Sequence, residues 1–219
     1  MKKVYIVMSI DIIQPAHISI INKASELGEL TVGVLTDKAI SSYKKIPFMR
    51  FDQRKLLFEN IKGVSNVVAQ DSTSYVDIIT KLKPDFVVHG DDWREGVLSN
   101  TRKELIDLLA KIGGELIEFP YSKNFTADLQ GQVNPTATTP SIRLSMLRRL
   151  LSYKSIITVN EVHNGLCGLL TENVSEQRGG NLVSFDAMWS SSLTDSTAKG
   201  MPDIEAVDMT SRLSSVNHI

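Results

Sequence analysis

The sequence predicts an α/β protein whose first 120 residues form a doubly wound parallel sheet. Three observations point there. Strand and helix patterns alternate from Val4 to Phe119, the strands are apolar on both faces, and glycine or proline separates successive elements. The composition allows such a core. The chain has 219 residues, 42% hydrophobic and 22% charged. Wholesale disorder, a collagen-like repeat and a coiled-coil rod are thereby excluded.

The elements follow in order. Val4-Tyr5-Ile6-Val7-Met8 reads as a buried parallel strand. A helix begins near His17, with Ile20, Ile21, Ala24 and Leu27 on its apolar face and Gly28 as its stop. Leu30 to Leu35 is the second strand. Asp52 is expected to cap a helix that buries Leu56, Leu57 and Ile61 and ends at Gly63. Val64 to Ala69 is the third strand, Tyr75 to Leu82 a helix ending before Pro84, and Phe86-Val87-Val88 the fourth strand. Thr101 and Glu104 read as a capping box for a helix reaching Ile112, which Gly113-Gly114 ends. Leu116 to Phe119 is the last strand.

Composition shifts after Pro120. Tyr121 to Thr139 is polar and reads as a linker. A helix follows, with Arg143, Arg148 and Arg149 on one side and Leu144, Leu147 and Leu151 on the other. Ile156 to Val159 and Phe185 to Trp189 read as strands, Arg178-Gly179-Gly180-Asn181 as a hairpin turn, and Thr210 to Ile219 as a stretch without a closing element.

Charge excludes some partners. With 24 Lys+Arg against 25 Asp+Glu, nothing favours nucleic acid. The single cysteine, Cys167, cannot form an internal disulfide and suits a reducing compartment. No apolar run approaches the ~20 residues of a membrane span. Asp11 interrupts the run from Val4 to Ile13, which reads as a strand rather than a signal peptide. The expectation is a cytoplasmic protein acting on small molecules, with neither nucleic acid nor membrane as partner.

Ligands of doubly wound sheets bind at the carboxyl ends of the strands. The loops after Met8, Leu35 and Val88 are therefore the ones to inspect. Ser9-Ile10-Asp11-Ile12-Ile13-Gln14-Pro15-Ala16-His17 joins the first strand to the first helix, where main-chain amides and the helix dipole favour phosphate. There His17 reads either as a phosphate donor or as an ordinary surface histidine at a helix start. His89-Gly90-Asp91-Asp92-Trp93 follows the fourth strand. Gly90 allows close approach to the backbone, and the carboxylates can accept from a base or ribose. The plainer alternative is a solvated acidic turn with Trp93 packed beneath it.

These stretches carry a family resemblance. Residues 1 to about 120 resemble the cytidylyltransferase family through Asp11-Ile12-Ile13-Gln14-Pro15-Ala16-His17-Ile18, Thr36-Asp37-Lys38, Tyr43-Lys44-Lys45, Phe51-Asp52-Gln53-Arg54-Lys55 with Glu59, and Gly90-Asp91-Asp92-Trp93. The resemblance implies CMP transfer from CTP, with Mg²⁺, to a phosphonate or phosphate monoester. His17 and Lys44 would be catalytic. Ser9, Asp11, Gln14, His17, Lys45, Arg54, Gly90, Asp91, Asp92, Trp93 and Thr126 would hold the nucleotide. The chain departs from the family's His-x-Gly-His motif at Gln14 and Ala16, and from its Ser/Thr cluster, which should fall near Asn124 to Asp128. Losing one well-placed phosphate donor costs ~10²–10³ in rate, so a slow enzyme and a catalytically inactive nucleotide-binding scaffold are both expected readings.

Downstream, Asn160-Glu161-Val162-His163-Asn164-Gly165-Leu166 and Phe185-Asp186-Ala187-Met188-Trp189-Ser190-Ser191-Ser192-Leu193-Thr194-Asp195-Ser196 resemble the N-terminal part of phosphoenolpyruvate mutase. That resemblance implies the incomplete start of a TIM-type barrel. Trp189, Ser191, Ser192 and Leu193 would line its substrate site and Asp203 would act from a gating loop. The family's metal motif is absent from this sequence, and a barrel needs ~250 residues. The expected domains are thus 1–122 (cytidylyltransferase-like), 123–140 (linker) and 141–219 (start of a mutase). The whole reads as a fragment of a homo-oligomeric phosphonate-biosynthesis fusion.

Overall fold

The computed structural model describes all residues except 44, 95–98, 121–138, 179–180 and 218–219. It divides into two compact units, Met1–Arg149 and Leu150–Ile219.

The first unit is built on five parallel strands: β1 (Lys3–Met8), β2 (Glu29–Leu35), β3 (Asn66–Gln70), β4 (Phe86–Gly90) and β5 (Glu115–Phe119). Their order is β3-β2-β1-β4-β5. Helices α1 (Pro15–Glu26), α2 (Asp37–Ser41), α3 (Phe51–Glu59), α4 (Val76–Leu82) and α5 (Ser99–Ile112) alternate with them. A 3₁₀ turn, Asp91–Trp93, follows β4. Strand pleating sends alternate side chains to opposite faces. Val4, Ile6 and Met8 pack with Ile21, Ala24 and Phe58 from α1 and α3. Tyr5 and Val87 pack with Ile79, Leu105 and Leu109 from α4 and α5. Both faces of the sheet are covered, so the strands are apolar throughout.

Gly33 is needed for one packing detail. Tyr5 crosses it to donate from Oη to Gln70 Oε1, and a Cβ at Gly33 would lie 1.8 Å from that hydroxyl oxygen. The Gln70 amide in turn donates to Ser72 O at 2.8 Å, which fixes the chain leaving β3.

Helix α3 begins at Phe51, after Arg50, rather than at a cap on Asp52. Its buried positions are Arg54 and Phe58, whereas Leu56 and Leu57 are exposed. The stripe is rotated because Asp37 supplies a buried partner for Arg54. Thr101 lies inside α5 rather than capping it, and Glu104 accepts from Ser74 Oγ at 3.3 Å.

Helix α6 (Pro140–Tyr153) does not bury the expected leucine side. Leu144, Leu147 and Leu151 are exposed, while Arg149 is only 7% exposed. Charge pairing again decides burial, since Arg149 meets Asp37. The expected start of a second domain at 141 thus falls within this helix, and the first unit runs to Arg149.

In the second unit, β6 (Val159–Val162) pairs in parallel with β9 (Ala187–Ser190), and β7 (Ser175–Arg178) pairs antiparallel with β8 (Asn181–Ser184). Helices α7 (Gly165–Asn173), α8 (Ser192–Ala198) and α9 (Met209–Asn217) complete it. The strand expected at Ile156 starts at Val159, and the C-terminal stretch expected to lack an element carries α9. Leu166, Leu169, Leu170 and Trp189 are exposed. No closed barrel forms among the described residues. No helix of the described residues is long and apolar enough to cross a membrane.

Candidate functional site

The strand order reverses direction between β1 and β4, which are adjacent and parallel. A crevice opens at such a switch point, beyond the carboxyl ends of the two strands. The loop from Ser9 to Gln14 and the turn Asp91–Trp93 leave from those two ends. The two stretches that stand far apart in the sequence therefore share one edge of the sheet.

His17 is the third residue of α1. Its Nδ1 accepts the Gln14 backbone N–H at 3.0 Å, and its own backbone N–H donates to Gln14 O at 2.9 Å. With Nδ1 occupied as acceptor, the neutral ring carries its proton on Nε2. Gln14 is buried and caps this helix start, so its position is structural as well as local to the site.

A shallow cleft, partly open to solvent, lies beside these loops. Val7, Ser9, Leu35, Tyr43, Gln70, Thr73, Tyr75, His89, Trp93 and Thr101 line it. His89 stacks on Trp93 with ring centroids 3.7 Å apart and planes 9° apart. Trp93 is itself buried, so it forms the packed wall of the cleft. Its Nε1–H donates to Glu118 at 2.8 Å, and Glu118 also accepts from Arg102 and Arg94. The hydrogen bond from Arg102 leads in holding the Glu118 carboxyl down at about 2. Tyr43 is hydrogen-bonded to Ser9, and burial pushes its phenol up.

The remaining expected nucleotide residues separate into groups. Gly90 ends β4 and Asp91 opens the turn; Asp92 lies in the same turn. Lys45 is exposed. Asp11 faces inward instead, accepting the Phe48 and Met49 amides, the latter at 2.9 Å. Arg54 is fully buried on Asp37. Lys44 and Thr126, with the whole stretch Asn124 to Asp128, lie outside the described residues. Sequence reading missed Arg149 and Asp37 as interior charges.

In the second unit, β6 and β9 end side by side, with Glu161 opposite Trp189 and Val162 opposite Ser190. Asn164 caps α7 and Ser191 caps α8 at that same edge. Thr194 Oγ1 donates to the Glu161 carboxylate. Hydrogen bonds from Thr194 and then Ser191 lower the Glu161 carboxyl. Trp189, Ser192 and Leu193 are exposed beside this edge, and Asp203 is exposed on the following loop.

Residues 9–150 match the family described as Cytidylyltransferase-like. The chain belongs to that family. The match takes in α6 up to Leu150, in agreement with the extent of the first unit. FAD synthase of Ferroglobus placidus is 32% identical over 92 residues, covering 42% of this chain and 60% of that protein. FAD synthase of Methanobrevibacter smithii is 28% identical over 102 residues, covering 44% and 67%. The bifunctional protein HldE of Campylobacter concisus is 34% identical over 106 residues, covering 45% of this chain and 22% of that protein. The chain thus spans about 60% of the first of these relatives and about a fifth of the bifunctional one. The crystal structure of the lipopolysaccharide core biosynthesis protein from Thermoplasma volcanium overlays with a TM-score of 0.48 at 22% identity, covering 56% of this chain and 99% of that one.

Among the described residues, no three His, Cys, Asp or Glu side chains come together as a metal cage. Mg²⁺ held by substrate phosphates and few protein oxygens does not need one.

Proposed function

We propose that the first unit is a nucleotidyltransferase domain that moves CMP from CTP to a phosphonate or phosphate monoester. The observation that carries this is the shared edge of β1 and β4. There the loop leading to the His17 helix and the Asp91–Trp93 turn leave the same edge of the sheet in a cytidylyltransferase-like chain, which supports the reading. An acceptor oxygen attacks the α-phosphorus in line; one P–O bond forms, and the bond to the leaving pyrophosphate breaks. No covalent nucleophile is needed, so positioning and charge neutralisation carry the rate. His17 Nε2–H donates to an α-phosphate oxygen, and Lys44 and Lys45 neutralise phosphate charge. Ser9, Gly90, Asp91, Asp92 and Trp93 shape the nucleotide side. Mg²⁺ bound to the triphosphate supplies further charge neutralisation. Asp11 and Arg54 act from below, by fixing the loop that carries Lys45.

The Ser/Thr cluster followed by a basic residue, sought near Asn124 to Asp128, has a second candidate at Thr139-Pro140-Ser141-Ile142-Arg143. There it opens α6, whose first turn contains no acidic residue. Thr126 is the expected phosphate-facing hydroxyl of the first stretch, and Thr139 and Ser141 are those of the second.

The FAD synthase relatives favour a second reading, with ATP as donor and a flavin phosphate as acceptor. For Leu150–Ile219 the reading remains the entry part of a phosphoenolpyruvate mutase within a phosphonate-making fusion. The parallel β6–β9 edge supports it, with Glu161, Trp189, Ser191, Ser192 and Leu193 near one end.

The test is pyrophosphate release by the purified chain with Mg²⁺. CTP is paired with a panel of phosphonates and phosphate monoesters, and ATP with riboflavin phosphate. Release that needs one acceptor and falls ~10²–10³-fold in His17→Ala is expected. Binding of CTP without release on any acceptor would leave the scaffold reading. Release only with ATP and the flavin would move the domain to the second reading.

A further inference from the structure

All four backbone polar groups of Phe48 and Met49 are bound by charged side chains from three separate elements. Asp11, in the loop after β1, accepts both amides. Arg54 Nε, from α3, donates to Met49 O at 3.3 Å. Arg149 Nη1, from α6, donates to Phe48 O at 3.1 Å. The two guanidiniums then converge on one carboxylate, Asp37, at 2.7 Å from Arg54 and 3.3 Å from Arg149. Arg54 is 0%, Asp37 3% and Arg149 7% exposed.

This cluster is poorly built for stability alone. It places two like charges against each other in a low dielectric. Arg54 Nη1 and Arg149 Nε have no hydrogen-bond partner among the described residues. Buried ionic groups of this kind are commonly no better than apolar replacements. What the cluster does secure is geometry. Lys45, between α2 and α3, is flanked by two attachments to the loop that follows β1: Tyr43 hydrogen-bonded to Ser9, and Phe48 with Met49 hydrogen-bonded to Asp11. The second anchor is closed from the opposite side by Arg54 and Arg149.

We propose that Arg149 is a positioning residue for nucleotidyl transfer: through Phe48 O and Asp37, α6 sets the place of the Lys45 loop against the His17 helix start. The inference rests on the nucleotidyltransferase reading above. It makes the reaction depend on a side chain more than 90 residues along the chain from the loop that it holds.

The experiment compares the full chain with Arg149→Met, Arg149→Lys and the exposed neighbour Arg148→Met. Two quantities are read: amide hydrogen exchange over 45–50, with and without CTP and Mg²⁺, and initial rates of pyrophosphate release. Arg149→Met is expected to speed exchange in 45–50 at least tenfold while peptides of β1 and β4 stay protected. It should lower kcat about tenfold, with KM for CTP changed less than threefold. Arg149→Lys should recover part of kcat, and Arg148→Met should match the parent chain. Unchanged exchange in 45–50, or faster exchange with unchanged kcat, overturns the inference. Absence of release by the parent chain would instead sink the nucleotidyltransferase reading. Loop protection by CTP, present in the parent and lost in Arg149→Met, would then still support the positioning role; no such protection would overturn it.

Discussion

Glu118→Gln isolates the interaction that fixes the aromatic wall of the cleft. In the folded chain the Glu118 carboxyl titrates at about 2 instead of its ordinary 4.5, chiefly because Arg102 donates to it, with Arg94 and Trp93 adding to the effect. The carboxylate side chain is 9% exposed, but Arg94 and Arg102 are 57% and 28% exposed, so water screens part of this. At ~1.4 kcal/mol per pH unit, a displacement of this size is worth at most about 3.5 kcal/mol, and solvent screening at Arg94 and Arg102 leaves about 2–3 kcal/mol for the folded state. The folded value lies below the unfolded one. The stabilisation is therefore complete above pH 4.5 and is lost as pH falls through the folded value. Urea unfolding at a series of pH values should show Glu118→Gln about 2–3 kcal/mol less stable at pH 7. Other acids titrate over the same range in both proteins, so the difference between the two curves reports Glu118 alone. That difference should shrink steadily below pH 4.5 and nearly vanish near pH 2. Parallel curves across that range would refute the reasoning, because the charge of Glu118 would then contribute nothing specific to folding.

Three further outcomes are expected. Gly33→Ala forces a methyl into the Tyr5 hydroxyl and separates it from Gln70; a loss of about 2–4 kcal/mol in urea unfolding follows. A neutral result would show that Tyr5 can leave its place freely. Asp11→Ala removes the acceptor of two amides and should cost about 1–3 kcal/mol, with the faster hydrogen exchange confined to 45–50 if the loop is its only client. His89→Ala removes the ring stacked on Trp93 in the cleft wall and should raise KM for CTP; an unchanged KM for CTP would take His89 out of the nucleotide wall.

The parallel sheet was legible because its cause is local. Strands such as Val4 to Met8 are apolar on both faces only when helices cover both sides, and Gly28, Gly63 and Gly113 mark where the chain turns back. The edge carrying His17 and Asp91–Trp93 was legible for the same reason, since strand order in doubly wound sheets obeys few rules. Helix faces that bury charge were not. Periodicity assigned Leu56 and Leu57 to the core and set Leu144 and Leu147 opposite the arginines of α6, yet all four leucines are exposed while Arg54 and Arg149 are inside. Nothing within either helix contains the reason. It is Asp37, which lies 17 residues from Arg54 and 112 from Arg149 in the chain.

The sequence by itself thus determined the class of fold, the order of its elements and the family to which the chain belongs. Those follow from hydrophobic pattern and short motifs, which act over a few residues. Only the tertiary structure decided what the charged residues of those motifs do. It turned Asp11 and Arg54 inward to hold Phe48 and Met49, and gave His17 its tautomer through Gln14. It also joined α6 to the first unit through Arg149. A charge is buried only where a partner meets it, and partners distant in sequence are brought together by the fold.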